Sequence, residues 1–268
     1  VLDGNDNLGR FDQYMRPFYE ADRDAGRIDR DGALEMIRAM WTHVDECQSW
    51  NVALAGTAAD GRQGASELTV LCLEAGRGRR RPNLALRLRE DTPEEIWDAA
   101  LDTIATGTGI PALYAEENYV RSLREAHLGI RDADLPHFAF GGCTETMVHG
   151  RSNVGSLDGH FNMVLRLEQA LHAHLADCPD YDEFVERFKR HMREEVRLFT
   201  EQISEFQRNK ARHFPQLIRT LLIDDCIEEG REYADGGARY NWSVVNVEGL
   251  ANVVDSLCAV REVVFERR

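Results

Sequence analysis

Residues 82–95 read Pro82-Asn83-Leu84-Ala85-Leu86-Arg87-Leu88-Arg89, then Glu90-Asp91 and Thr92-Pro93-Glu94-Glu95. Three leucines two apart have the period of a strand with one buried face. Thr92 can accept from exposed amides as an N-cap, Pro93 needs no amide partner at a first helical position, and Glu95 can close a capping box. The helix so started, through about Thr106, carries Ile96, Trp97, Ala100, Leu101 and Ile104 on one side. Gly107-Thr108-Gly109-Ile110-Pro111 stops it. Ala112-Leu113-Tyr114 follows as another short apolar segment.

The same alternation extends both ways. Asn51–Gly56 reads as a strand leaving into a glycine loop, and Ser66–Ala75 as a buried helix. Further on, His137-Phe138-Ala139-Phe140 is strand-like and runs into Gly141-Gly142-Cys143. Leu157–Leu175 and Tyr181–His213 read as helices, with Pro215 closing the second, and Gln216 to about Glu229 as a third. Asp235–Ala238 is a turn, Tyr240–Val247 a strand and Leu250–Phe265 a final helix. Short apolar segments between amphipathic ones indicate an α/β chain. No repeat or Pro/Ser-rich linker marks a boundary, so residues 1–268 read as one domain or a piece of one.

Composition narrows the function classes. The 268 residues are 43% apolar and 29% charged, ordinary for a globular chain, with a formal net charge of −15. Such a surface repels phosphate backbones and anionic lipid, which argues against nucleic-acid and membrane-surface roles. No apolar run approaches the roughly 20 residues that span a bilayer. The polar N-terminus carries no secretion signature, so a cytoplasmic location with reduced thiols is expected. None of the six cysteines forms a CxxC pair.

Most polar candidates have plain structural explanations. His172 and His174 point to different helix faces, and Gly107-x-Gly109 lacks the third glycine and the preceding strand of a dinucleotide loop. The acidic run at Asp224, Asp225, Glu228 and Glu229 reads as a solvated helix face. Cys143 stands apart. It follows two glycines at a strand end, where α/β folds place chemistry, and Glu145 lies two residues on. In an extended chain those two side chains share a side, so sulfur and carboxyl could face one small molecule. Spacing alone is equally satisfied by a core cysteine beside a loop glutamate.

Gly142-Cys143-Thr144-Glu145 resembles the Gly-Cys-Val-Glu loop of glycyl radical enzymes, the pyruvate formate-lyase and glycerol dehydratase family. Gly9-Arg10-Phe11-Asp12-Gln13-Tyr14-Met15-Arg16-Pro17-Phe18-Tyr19 is similar to another family segment. So are Glu67–Ala75 with Pro82–Arg87, Gly155-Ser156-Leu157-Asp158 with Phe161-Asn162-Met163, and Asp224–Ile227 with Gly236–Asn241 and Asp255-Ser256-Leu257. The blocks follow family order over nearly the whole chain.

The resemblance implies part of a ten-stranded α/β barrel, with helices outside and the cysteine loop inside. It implies Cys143 as the site of a thiyl radical and Glu145 as general acid/base. Asp158 falls, one residue late, where dehydratase-type members hold a substrate hydroxyl. It further implies a glycyl radical installed by a separate S-adenosylmethionine iron–sulfur activating enzyme, a small-molecule substrate, and a homodimer at full length. Without a second cysteine beside Cys143, pyruvate formate-lyase chemistry is disfavoured. Glu145 disfavours alkylsuccinate synthesis and favours a radical eliminase or decarboxylase. Thr144 and Thr146-Met147-Val148 depart from the usual residues and match no subclass.

The family's Arg-Val-x-Gly-(Tyr/Phe) glycine loop has no counterpart before Arg268. The chain therefore reads as the central part of the barrel, and the isolated chain plus activase is expected to give no product. A truncated, non-catalytic relative is the alternative, and a cysteine hydrolase using His137 or His149 as base ranks last.

Overall fold

The computed structural model describes residues 7–142, 144–154 and 157–267. It divides into two units: one runs to Val154 and includes Leu222–Asp225, and the other takes the remainder.

In the first unit, β1 (Gly9–Arg10), β2 (Asn51–Ala55), β3 (Asn83–Leu88) and β4 (Ala112–Ala115) form a parallel sheet in that order. Helices α1 (Phe11–Asp24) and α2 (Arg30–Glu46) connect β1 to β2, α3 (Glu67–Gly76) connects β2 to β3, and α4 (Glu94–Ile104) connects β3 to β4. In β2 and β3, Val52, Leu54, Leu84 and Leu86 turn toward the helices and join Trp41, Leu71, Leu73 and Ile96 in one core. Ala53 and Ala85 turn the other way. There they meet helix α5 (Glu116–Glu125) and the strand β5 (Phe138–Gly141), through Leu123, Phe138 and Phe140. β5 pairs antiparallel with β6 (Glu145–Val148), and β7 (Ser152–Asn153) ends the unit's main run. The sheet thus carries α1–α4 on one face and a hairpin on the other, as expected of part of an α/β barrel.

Two expectations at β3 and α4 need correction. Alternating leucines predict an open face for Arg87, yet Arg87 is fully buried. Parallel strands are covered on both faces, so alternation of residue type does not mean alternation of exposure. Helix α4 starts at Glu94 with Pro93 as its cap residue, and the Thr92 hydroxyl instead accepts from the Arg89 amide at 2.8 Å. Its buried side is Ile96, Ala99, Ala100 and Thr103, while Trp97 and Leu101 are exposed. The Thr103 hydroxyl satisfies itself on the Leu73 and Ala99 carbonyls, which lets a polar residue take the core position.

In the second unit, β8 (Gly159–Asn162) leads into α6 (Met163–His174), so the first residues of the expected 157–175 helix are a strand. Asn162 caps α6 by accepting from the Leu165 amide at 3.0 Å. Helix α7 (Tyr181–His213) has the expected bounds, started by the Asp180 side chain on the Glu183 amide. Helix α8 is short, Leu217–Leu222. The acidic run beyond it is not helical: Asp225 sits at φ +76°, and the Asp224 amide donates to the Gly150 carbonyl. β9 (Tyr240–Asn241), β10 (Val245–Glu248), which pairs parallel with β8, and α9 (Leu250–Val260) complete the unit. Leu167, Ala170, Phe184, Phe188 and Val253 form its core. Among the described residues no helix is long and apolar enough to cross a membrane.

Candidate active site

Gly141 closes β5 and Glu145 opens β6, so Gly142 and Thr144 lie at the tip of the β5–β6 hairpin. Gly141 pairs with Glu145, and Gly142 has φ +47°, a backbone angle that favours glycine. Cys143 itself lies outside the described residues, and with it the expectation that the Cys143 and Glu145 side chains share a side. Glu145 is half-buried, and its carboxylate accepts from the Thr144 amide at 3.0 Å. A Cβ on Gly142 would sit 2.6 Å from one Glu145 carboxylate oxygen and 2.7 Å from the other. The second glycine is thus what lets the carboxylate fold back over the loop.

Beneath the hairpin lies a buried charged cluster that sequence reasoning did not single out. The Arg87 guanidinium pairs with Glu116 at 3.0 Å and donates to the carbonyls of Pro136 (3.1 Å) and Phe138 (2.9 Å). It lies over the Phe138 ring, 3.8 Å from its centroid. Arg10 donates to the carbonyls of Pro136 (2.7 Å), Ala55 (2.9 Å) and Thr57 (2.7 Å). Two arginines thus grip the strand that delivers the loop. Burial, and then Arg10 close by, pull the Arg87 pKa down to about 9 against the opposing pull of Glu116. Glu116 also accepts from the Thr57 amide at 2.9 Å, and Asp12 from the Ala55 amide (2.8 Å) and the Thr69 hydroxyl (2.6 Å). Gly56 is at φ +75°, and a Cβ there would meet Glu116 at 2.2 Å. The far end of the strand is held by Asn7, whose side-chain oxygen accepts from Gly142 (3.1 Å) and Asn51 (3.0 Å) amides. The available signal was an arginine among alternating leucines, and Arg10 and Asp12 inside a quoted block; their burial was not visible.

His149 stacks on Tyr14 with rings 3° from parallel and fills the space over Gly9. Burial, then Arg10, bring its pKa down to about 4; His137 is lowered too, also chiefly by burial. An imidazole that resists protonation this strongly is a poor general base, which tells against the cysteine hydrolase. In the second unit, Asp158 is half-buried and its carboxylate accepts from Gln207 and Ser243. Tyr240 is buried and stacked on Trp242, and Asn241 donates to the Ala238 carbonyl. Both serve packing. Among the described residues no group of three or more His, Cys, Asp or Glu side chains could hold a metal ion.

The description "Pyruvate formate lyase-like" belongs to a family model that matches residues 4–268. The chain belongs to that family. Within this family it is 28% identical to the trans-4-hydroxy-L-proline dehydratase of Clostridioides difficile over 97% of its own length and 37% of the relative's. It is 30% identical to the isethionate sulfite-lyase of Desulfovibrio desulfuricans, covering 97% of this chain and 36% of that one. A solved structure on 1,2-propanediol dehydration in Roseburia inulinivorans superimposes with a TM-score of 0.87 at 26% identity, over 97% of this chain and 34% of that one. The chain therefore spans about a third of the length of these pyruvate formate lyase-like proteins. The resemblance to glycyl radical enzymes and the α/β barrel type are thereby borne out.

Proposed function

We propose that residues 1–268 are the central barrel portion, one partial domain, of a cytoplasmic radical lyase that cleaves a C–O, C–N, C–S or C–C bond in a small substrate. The observation that carries this reading is the hairpin turn. It places a glutamate carboxylate directly over the glycine that precedes Cys143, in a chain whose family is that of radical dehydratases and lyases.

A glycyl radical, installed by an S-adenosylmethionine iron–sulfur activating enzyme, supplies the one-electron vacancy. Cys143 would pass its thiol hydrogen atom to that radical and then take one from a substrate carbon, which restores the S–H bond and leaves the unpaired electron on carbon. Glu145 donates a proton to the departing group, so that a hydroxyl leaves as water, and recovers a proton from the substrate. Return of the sulfur's hydrogen to the product carbon closes the cycle. The Glu145 carboxylate, folded back over Gly142, suits this role because an acid/base must lie within reach of the group it protonates. Asp158 accepts a hydrogen bond from a substrate hydroxyl. At full length we expect a homodimer.

The test is anaerobic activation of the full-length protein. Cys143→Ser is expected to abolish turnover while the electron paramagnetic resonance signal of the glycyl radical persists. Glu145→Gln should slow it about 10²- to 10⁴-fold, the usual range for a lost acid/base. Full turnover by Cys143→Ser removes the thiol from the mechanism.

A further inference from the structure

Among the described residues, the donors that reach Asp158 converge on one of its oxygens. Oδ2 accepts from the Gln207 side-chain amide at 2.9 Å and from the Ser243 hydroxyl at 3.0 Å. The same Gln207 nitrogen reaches the Ser243 hydroxyl oxygen at 2.6 Å and the Trp242 carbonyl at 3.3 Å. Gln207 lies on α7, Asp158 just before β8, and Ser243 just after β9, so three separate segments meet at one atom. Trp242 is itself set by stacking on Tyr240, with ring centroids 5.4 Å apart. Among the described residues no donor reaches Oδ1.

The chemistry of the tether matters as much as its geometry. Gln207 and Ser243 are neutral donors. They solvate and orient a carboxylate without cancelling its charge, as a lysine or arginine in the same place would. An untethered aspartate on a loop samples several rotamers, and fixing it before substrate arrives removes that entropy from the binding step. A carboxylate with one oxygen occupied by fixed neutral donors, and no donor among the described residues on the other, is arranged to accept from an incoming hydroxyl.

We propose that Gln207 and Ser243 are positioning residues that hold Oδ2 of Asp158 and leave Oδ1 as the acceptor for a substrate hydroxyl. This rests on the assignment of Asp158 to substrate made above. A purely structural knot, tying residues 240–243 to α7, is the competing explanation, and it predicts lost stability without a change in substrate affinity.

The experiment uses the activated full-length protein with three hydroxyl-bearing probes: trans-4-hydroxy-L-proline, isethionate and 1,2-propanediol. With whichever is turned over, Gln207→Leu and Ser243→Ala should raise KM about 3- to 10-fold, the scale of one or two lost hydrogen bonds, with kcat little changed. Ser243→Thr keeps the hydroxyl and should restore the KM, and the glycyl radical content should stay at the wild-type level in all three variants. In an Asp158→Asn background, Gln207→Leu should add nothing further. Unchanged KM with a lowered melting temperature overturns the proposal, as does a full Gln207→Leu effect in the Asp158→Asn background. So does a radical-bearing wild type that turns over none of the probes. A silent Asp158→Asn, with Cys143→Ser still inactive, overturns this proposal and leaves the lyase standing; activity in Cys143→Ser removes the lyase reading itself.

Discussion

Arg87→Met tests whether the charged cluster under the hairpin is the frame of the site. Arg87 is fully buried, and its guanidinium makes the 3.0 Å pair with Glu116 and also serves the Pro136 and Phe138 carbonyls. Removing it leaves the Glu116 carboxylate buried with the Thr57 amide and the more distant charge of Arg10, and strips Phe138 of its guanidinium donor. Breaking a buried ion pair from one side costs about 3–5 kcal/mol, because the abandoned charge has lost its partner in a poorly polar interior. The unpaired carbonyl adds about 1 kcal/mol, whereas Pro136 is still held by Arg10 at 2.7 Å. The expected loss is therefore about 4–6 kcal/mol. Arg87→Met/Glu116→Gln removes both charges and should recover about half of it, since the desolvated lone carboxylate is what dominates. Urea unfolding followed by circular dichroism measures the three variants, and amide hydrogen exchange shows whether residues 136–142 open first. A double variant as unstable as the sum of both single ones would refute the reasoning, because it would mean the charges do not depend on each other.

Three other outcomes follow from the same geometry. His149 has a folded pKa near 4 against 6.5 in the unfolded chain, so the unfolded state binds the extra proton. Stability is then full above pH 6.5 and falls by about 3 kcal/mol as the pH drops toward 4; His149→Phe should flatten that slope in denaturant titrations at several pH values. Gly142→Ala places a methyl 2.6 Å from the Glu145 carboxylate at φ +47°. It should cost only about 1–2 kcal/mol in stability, since a carboxylate can swing aside, but about 10²-fold in turnover if the displaced group carries the proton as proposed. Asn7→Leu removes the oxygen shared by the Gly142 and Asn51 amides and should cost about 2 kcal/mol, with Asn7→Asp recovering most of it. Faster alkylation of Cys143 by iodoacetamide in Asn7→Leu than in Asn7→Asp would show that the loop has loosened.

What the residue order determined by itself was local and chemical. The leucines at 84, 86 and 88 made a strand, Asp180 started a helix that runs to His213, and two glycines before Cys143 marked a turn at a strand end. The ordered blocks around Cys143, Glu145 and Asp158 carried the family. These features depend on nearest neighbours and on side-chain type, which a linear sequence displays. Tertiary structure alone decided which polar residues go inside. Arg87 looks like the solvent side of a strand until β5 covers that face and Pro136 and Phe138 offer their carbonyls. The expected helix through Asp224 and Glu229 is replaced by a turn because the Asp224 amide donates to Gly150, far back in the chain. Asn7 acts on amides 135 and 44 residues away, and Gln207 on acceptors 49 and 36 residues away. Burial of a polar group is stable only where its partners converge, and that convergence is a property of the packed chain, with no trace in the spacing of residues along it.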